Sequence, residues 1–280
     1  MKRTMTLSEP RARPAIAAGA LFAVCALACN SSQAMTDDEE ESLAKQLANP
    51  VAAVVSVPMQ LNFDRKVGPA DGRRATLNIQ PVIPFDLSPD WNLITRTILP
   101  LVDQRDVAGL SGDQFGVSDI FLSLFFAPKH SAVPGLILGA GPVFLLPTAT
   151  DPLLGTKKWS AGPTVLVMSQ QGQWTLGLLA NHVWSFAGSK SRPDVNASLV
   201  QPFVAYVTHS STTFSLNSEV GYNWEAKEWA IPVSAGVSQL FVVGRQPMQL
   251  GIFARYWAKS TDSGPQGWGL RLQYTLIFPR

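Results

Sequence analysis

Apolar and polar residues alternate with a period of two along most of the chain. Val55, Val57, Met59, Leu61 and Phe63 alternate with Ser56, Pro58, Gln60, Asn62 and Asp64. Leu77, Ile79, Ile83 and Phe85 oppose Thr76, Asn78, Gln80 and Asp86. Phe214, Leu216, Val220, Tyr222 and Trp224 oppose Thr213, Ser215, Asn217, Glu219 and Asn223. Leu270, Leu272, Tyr274, Leu276 and Phe278 oppose Arg271, Gln273 and Thr275. Successive side chains of a strand point to opposite faces, so each segment has one apolar and one polar face.

Twelve such segments are predicted, near 51–64, 74–87, 91–101, 115–127, 134–146, 158–169, 173–186, 198–208, 212–224, 228–241, 246–257 and 268–278. Many exceed the ~5–6 residues of a globular strand and reach the ~9–11 that a tilted strand needs to cross a bilayer. Ser88-Pro89-Asp90, Gln170-Gln171-Gly172 and His209-Ser210-Ser211 are tight connectors, whereas 102–114, 147–157 and 187–197 are long and polar. The predicted fold is therefore all-β: a transmembrane antiparallel up-and-down β-barrel of about twelve strands. The connector at 225–227 is short where this scheme expects a long one.

Trp174 and Trp184 lie on one face of one strand with Leu176 and Leu178 between them. At ~3.3 Å per residue and ~40° tilt they are about 25 Å apart along the membrane normal, the height of a lipid-facing band between aromatic girdles. Pro81, Pro84, Pro142, Pro163, Pro202 and Pro232 fall inside predicted strands. Proline cannot donate to a ladder, so these positions predict rims or bulges. Gly139-Ala140-Gly141-Pro142 and Ser160-Ala161-Gly162-Pro163 resemble one device used twice, a bulge on neighbouring strands.

The N-terminus has another character. Lys2, Arg3, Arg11 and Arg13 precede the apolar run Ala15 to Cys29, and Ser32-Gln33-Ala34 offers a small-residue cleavage site. Residues 1–34 are thus expected to be a secretory signal peptide cleaved after Ala34. Lipidation of Cys29 is a second reading, although the usual leucine three places upstream is absent. Residues 35–50 form an acidic segment. Asp37 to Glu41 are five consecutive acids ahead of Ser42-Leu43-Ala44-Lys45-Gln46-Leu47-Ala48, which predicts a short helix with acids in its first turn. This segment is either a solvated tail or a plug or partner contact. Residues 51–280 are the barrel.

Composition narrows the chemistry. Charged residues make up 15% of the 280, against a usual ~25%. Removing the signal takes four of 22 basic and one of 20 acidic residues, leaving a net charge near −1. That excludes a basic nucleic-acid surface. Both cysteines, Cys25 and Cys29, leave with the signal, so the rest has no thiol for a disulfide, a zinc site or a nucleophile. No phosphate-binding loop, dinucleotide fingerprint or metal-ligand cluster appears, and no cofactor is expected.

Several stretches resemble an outer-membrane barrel family catalogued under the meta-pathway of phenol degradation, whose members are often labelled transporters. They include Asn49-Pro50 through Val57-Pro58, Asn78 to Phe85, Trp91 to Thr97, Gly116 to Asp119 and Gly139 to Thr150. Lys158-Trp159, Trp184 to Gly188, Gln201-Pro202-Phe203 and the ending Ile277-Phe278-Pro279-Arg280 continue the match. The resemblance implies a Gram-negative outer-membrane location and a channel shape. It leaves the solute open, although aromatic or hydrophobic compounds fit its metabolic label.

If apolar faces meet lipid, parity sends Gln60, Asn62, Asn78, Gln80, Arg96, Asp119, Asn217, Glu219, Asn223, Arg255, Arg271 and Gln273 into the lumen. Charged groups at membrane depth must face water or one another. Arg96, Arg255 and Arg271 set against Asp119 and Glu219 form either a selective constriction or a side-chain filling. Arg255 and Arg271, on neighbouring strands, are the pair expected to act together. Expected partners are outer-membrane lipid, a small-molecule solute and the barrel-assembly machinery, the last through strand 268–278. A barrel enzyme would need a serine beside an outer-surface histidine, and only His130, His182 and His209 exist. None is favourably placed, so no enzymatic activity is expected. The two surviving readings are a channel for passive passage of small solutes and a closed structural or interaction barrel. A soluble binder of the lipocalin type closes with ~8 strands and fits poorly.

Overall fold

The computed structural model describes residues 35–131 and 133–279. The expected signal peptide, its cleavage site and Cys29 lie outside them. The first element is α1 (Asp37–Leu47). Thr36 caps it: the Thr36 hydroxyl accepts from the Glu39 N–H at 3.3 Å, and the Glu39 carboxylate accepts from the Thr36 N–H at 2.9 Å. This reciprocal capping box, with acids in the first turn and Lys45 in the last, makes a helix of a polar segment.

Fifteen hydrogen-bonded segments follow. They are β1 (Val55–Val67), β2 (Gly72–Ile79), β3 (Val82–Asp86), β4 (Trp91–Arg105), β5 (Asp113–Val117), β6 (Ile120–Pro128), β7 (Leu136–Leu146) and β8 (Lys158–Gln171). Then come β9 (Trp174–Gly188), β10 (Asn196–Val207), β11 (Thr212–Ser218), β12 (Val220–Asn223), β13 (Glu228–Val243), β14 (Gln246–Lys259) and β15 (Gly267–Phe278). β2 and β3, β5 and β6, and β11 and β12 are halves of single staves: the first and last couples each pair with the same two flanking strands, and β5 and β6 lie in succession along β4. Twelve antiparallel staves result. β15 pairs with β1 over Val55–Phe63, which closes the barrel and leaves no edge.

One proline and one bulge account for two of the broken staves. Pro81 interrupts the second stave between Ile79 and Val82. At Ser118-Asp119 the register against β4 shifts by one residue, from Val117↔Leu101 to Phe121↔Ile98. This bulge flips the phase, so Phe115 is exposed whereas Ser123 and Phe125 are buried. Pro142 and Pro163 stand directly opposite each other in an unshifted β7–β8 ladder, which corrects the expected paired bulge there. The ladder is instead open on the outer flanks: β6–β7 pairing skips from Ser123↔Val143 to Phe126↔Ala140, and β8–β9 pairing skips from Ala161↔Trp184 to Thr164↔Asn181. The missing proline donors thus face positions where no ladder bond is needed.

The outer surface carries an apolar belt. Leu176, Leu178, Val165, Val167, Leu250 and Ile252 are all exposed, Leu176 by 63%. Such a continuous apolar exterior suits lipid and not water. No helix among the described residues is long and apolar enough to cross a membrane. Aromatic rings rim the belt. Trp174 stacks on Tyr206 at 4.9 Å near the short-turn end. Tyr222 with Trp224 at 4.8 Å and Tyr256 with Trp268 at 5.0 Å lie toward the long-loop end. Trp174 and Trp184 are both exposed, at opposite ends of β9.

The core is inside the barrel. One cluster joins inward-facing Val82, Ile94, Phe125, Leu166, Met168 and Leu179 with Val51. Strands β6, β8 and β9 are therefore apolar on both faces over part of their length, which is why their alternation is weak in the sequence. A second cluster sets Leu43 and Ala44 of α1 against Val207, Leu240 and Ile277, which lie at the turn ends of β10, β13 and β15. The helix is docked inside the short-turn mouth, not extended as a tail.

Candidate functional site in the barrel lumen

Inward-facing polar residues of the first, second, third and last staves make one connected network. Arg96 on β4 donates to the Gln80 amide oxygen at 2.9 Å. Gln80 donates to Gln60 at 2.9 Å, and Gln60 donates to Gln273 at 3.1 Å. Alongside runs a charged group centred on Glu219, the residue at the break between β11 and β12. Arg271 meets the Glu219 carboxylate at 2.9 and 3.2 Å, and Arg255 meets it at 3.2 Å. Arg271 also donates to Asn62 at 2.7 Å. Arg255 lies 3.5 Å from Asp64 and over the Trp257 ring at 4.5 Å, while Trp257 donates to Asp64 at 2.9 Å.

Arg271 sits on β15 and Glu219 three staves away, so their bond is a chord across the lumen and not a contact along the wall. The charged group is thus a cross-brace. Arg255 and Arg271 are brought together through their shared carboxylate.

Asp119 plays a different part from the one expected. The bulge turns it inward, where it accepts from Ala149 N–H at 3.1 Å, Thr156 N–H at 2.6 Å and the Thr156 hydroxyl at 2.7 Å. It anchors the 147–157 loop, not the arginines. The same loop receives a Gln104 bond at Leu153 O and two Arg192 bonds, at Pro152 O and Gly155 O. Asp194 beside it accepts from Lys158 at 2.6 Å and from Ser185 at 3.1 Å, and these bonds hold its carboxyl below the usual range. Asn223, expected in the lumen, instead accepts from the Glu225 and Ala226 N–H groups and caps the 224–227 turn.

Between the network and α1 lies a cavity of about 500 Å³. Gln60, Gln80, Arg96, Asp119, Glu219 and Arg271 line it, as do Phe121 and Phe203. Its short-turn end is formed by Gln46 to Pro50. The helix is held there by its apolar face and by two polar ties. Gln170 donates to Lys45 O at 2.6 Å, and Glu41 meets His209 at 2.7 Å. Lys45 is also 2.6 Å from Glu41, and the bonds from Lys45 and His209 lower the Glu41 pKa. A lone acid–base pair between a helix and a distant turn leaves no periodic signal, so sequence reasoning missed it.

His182 has an unforeseen partner as well: its Nδ1 is 2.7 Å from the Ser198 hydroxyl on the outer surface. That hydroxyl also accepts from Trp224 at 2.9 Å, and His182 Nε2 is buried without a hydrogen-bond partner among the described residues. A serine–histidine hydrolase needs the second ring nitrogen oriented by a third group. None among the described residues holds it, and His182 stacks on Trp184 in the aromatic rim at 4.1 Å. Among the described residues no group of metal-ligating side chains occurs.

Residues 73–276 match the family described as Putative MetA-pathway of phenol degradation. The chain belongs to this family. An outer membrane channel from Pseudomonas putida F1 is similar in structure, with a TM-score of 0.63 at 15% identity, covering 81% of this chain and 96% of that one. The NanC porin aligns at TM-score 0.49 and 9% identity, over 81% and 100% of the two chains. Outer membrane phospholipase A from Escherichia coli aligns at TM-score 0.47 and 10% identity, over 84% and 97%. No curated protein matches the sequence.

Proposed function

We propose that this protein is a channel of the Gram-negative outer membrane that passes small solutes, aromatic or hydrophobic compounds among them, passively through its lumen. The observation that carries the reading is the 500 Å³ lumenal cavity, bounded by charged and amide side chains on one side and by Phe121 and Phe203 on another. A barrel needing only to hold itself together would fill that space with side chains, as ~8-stranded barrels do. The outward apolar belt suits the outer membrane, where closed antiparallel barrels are found. The similar fold described as an outer membrane channel agrees with this place and role. Export by the 1–34 segment, cleavage after Ala34 and insertion by the assembly machinery through β15 complete the path.

The second reading is a closed interaction barrel, and the docked helix favours it. Conductance of the refolded protein in a planar bilayer separates the two. Reproducible current steps support the channel. A protein that inserts and resists SDS when unheated, yet stays silent, overturns it in favour of the closed barrel.

A further inference from the structure

We propose that Arg96 anchors a carboxylate-binding subsite in the lumen, shaped for a small amphipathic acid with one carboxylate and an apolar body.

The first reason is charge. Arg255 and Arg271 share Glu219, and Arg255 also lies 3.5 Å from Asp64. Arg96 forms one hydrogen bond, to the neutral amide of Gln80, and no ion pair among the described residues. Of the two arginines that line the cavity, Arg271 is paired with Glu219, whereas Arg96 has no ion-pair partner among the described residues. A cation at membrane depth is costly without a counter-charge. An anionic ligand provides one, and the planar guanidinium offers a carboxylate two parallel donors.

The second reason is position. Gln80 is held by Gln60 and Gln60 by Gln273, so each amide oxygen is fixed toward its donor and Arg96 is presented in one orientation. Binding then loses little side-chain freedom. The third reason is the surroundings. Arg96 stands opposite Ser123, between the rungs Ile94–Phe125 and Ile98–Phe121, and Val82 is its partner on β3. One charged rung between apolar rungs matches a molecule with a charged head and an apolar body. The cavity, about 500 Å³, lies within the usual ~300–1,000 Å³ of small-molecule sites.

The inference rests on the lumen being open to solutes, and it is tested by binding instead of passage. Calorimetric titration of the folded protein in detergent compares benzoate and 3-phenylpropionate with benzyl alcohol and 3-phenylpropanol. Each acid should bind at least about tenfold more tightly than its alcohol, the scale of one charge-assisted contact. In Arg96→Gln the acid and the alcohol should become equal, and Arg96→Lys should keep part of the gap. Folding of each variant is read from its heat-dependent shift on SDS gels. If Arg96→Gln does not fold, the wild type and Arg96→Lys still decide. Equal binding of acid and alcohol to the wild type, or a gap that survives loss of the arginine, overturns the subsite. Conductance is measured on the same preparations. A silent protein with an Arg96-dependent preference removes the channel and leaves the subsite, and a conducting protein without the preference does the converse.

Discussion

Leu43→Ala tests whether the docked helix controls the lumen. Leu43 is 5% exposed and Ala44 is fully buried, both against Val207, Leu240 and Ile277 at the turn end of the barrel. Removing a buried leucine side chain costs about 2–5 kcal/mol. The lower half applies here, because the cluster lies at an open mouth where water and neighbouring chains refill part of the gap. A loss of about 2–3 kcal/mol raises the undocked fraction by about 30–150-fold. Residues 35–280 hold no cysteine, so in a protein that begins at residue 35 Ala44→Cys introduces a single thiol that a polar maleimide reaches only when the helix leaves its seat. The labelling rate should rise by that factor when Leu43→Ala is added, and bilayer recordings should show a matching gain in open time. Unchanged labelling would mean that the apolar face does not hold the helix. Faster labelling with unchanged current, both in Leu43→Ala and in a chain lacking 35–50, would mean that the helix does not limit passage.

Three further outcomes follow from the same geometry. The Glu41 carboxyl is held below its usual range by Lys45 and His209, so its contribution to docking is full above the ordinary carboxylate range and is lost as pH falls through the lowered pKa; open time should grow on acidification, and Glu41→Gln should abolish that acid dependence. Arg271→Ala leaves Glu219 short of its main partner in a buried brace, which should cost about 3–5 kcal/mol in urea titrations of the refolded barrel and shift reversal potentials toward cation selectivity; stability and selectivity like the wild type would remove the brace from both roles. Gly162→Ala drives a Cβ into the His182 backbone carbonyl of the adjacent strand, and refolding yield should fall with a loss of about 1–3 kcal/mol, whereas Gly172→Ala at an open turn should be milder because only its positive φ of 58° is strained.

The barrel was legible because its solvent imposes a rule on every strand. Lipid outside and polar groups inside force a period of two, and Leu270 to Phe278 or Val55 to Phe63 display it without help from neighbours. The twelve staves stand where the alternation places them, and the family match agrees. Legibility fell where both faces of a strand are apolar. Leu166 and Met168 face inward into a packed cluster while Val165 and Val167 face outward, so β8 shows no clean alternation although it is a long regular strand. Parity counting also cannot see a bulge. At Ser118-Asp119 one extra residue inverts the phase of β6 and sends Asp119 to a loop instead of to the arginines.

On the regular strands the sequence by itself determined which residues face inward and which outward, because there the choice depends only on local alternation and on the cost of burying polar groups in hydrocarbon; Asn223 and the bulged β6 fall outside that rule. It also determined the short helix, since its cap and first-turn acids are local signals. Only the tertiary structure decided who meets whom inside. Glu219 reaches Arg271 across 52 positions of chain, Glu41 reaches His209 across 168, and Arg96 is left with an amide. Such partnerships depend on barrel closure, on the stagger of the strands and on the seat of α1 in the mouth. Contacts between residues far apart in the chain carry no period, and so the fold, not the pattern, sets the charge balance of the lumen.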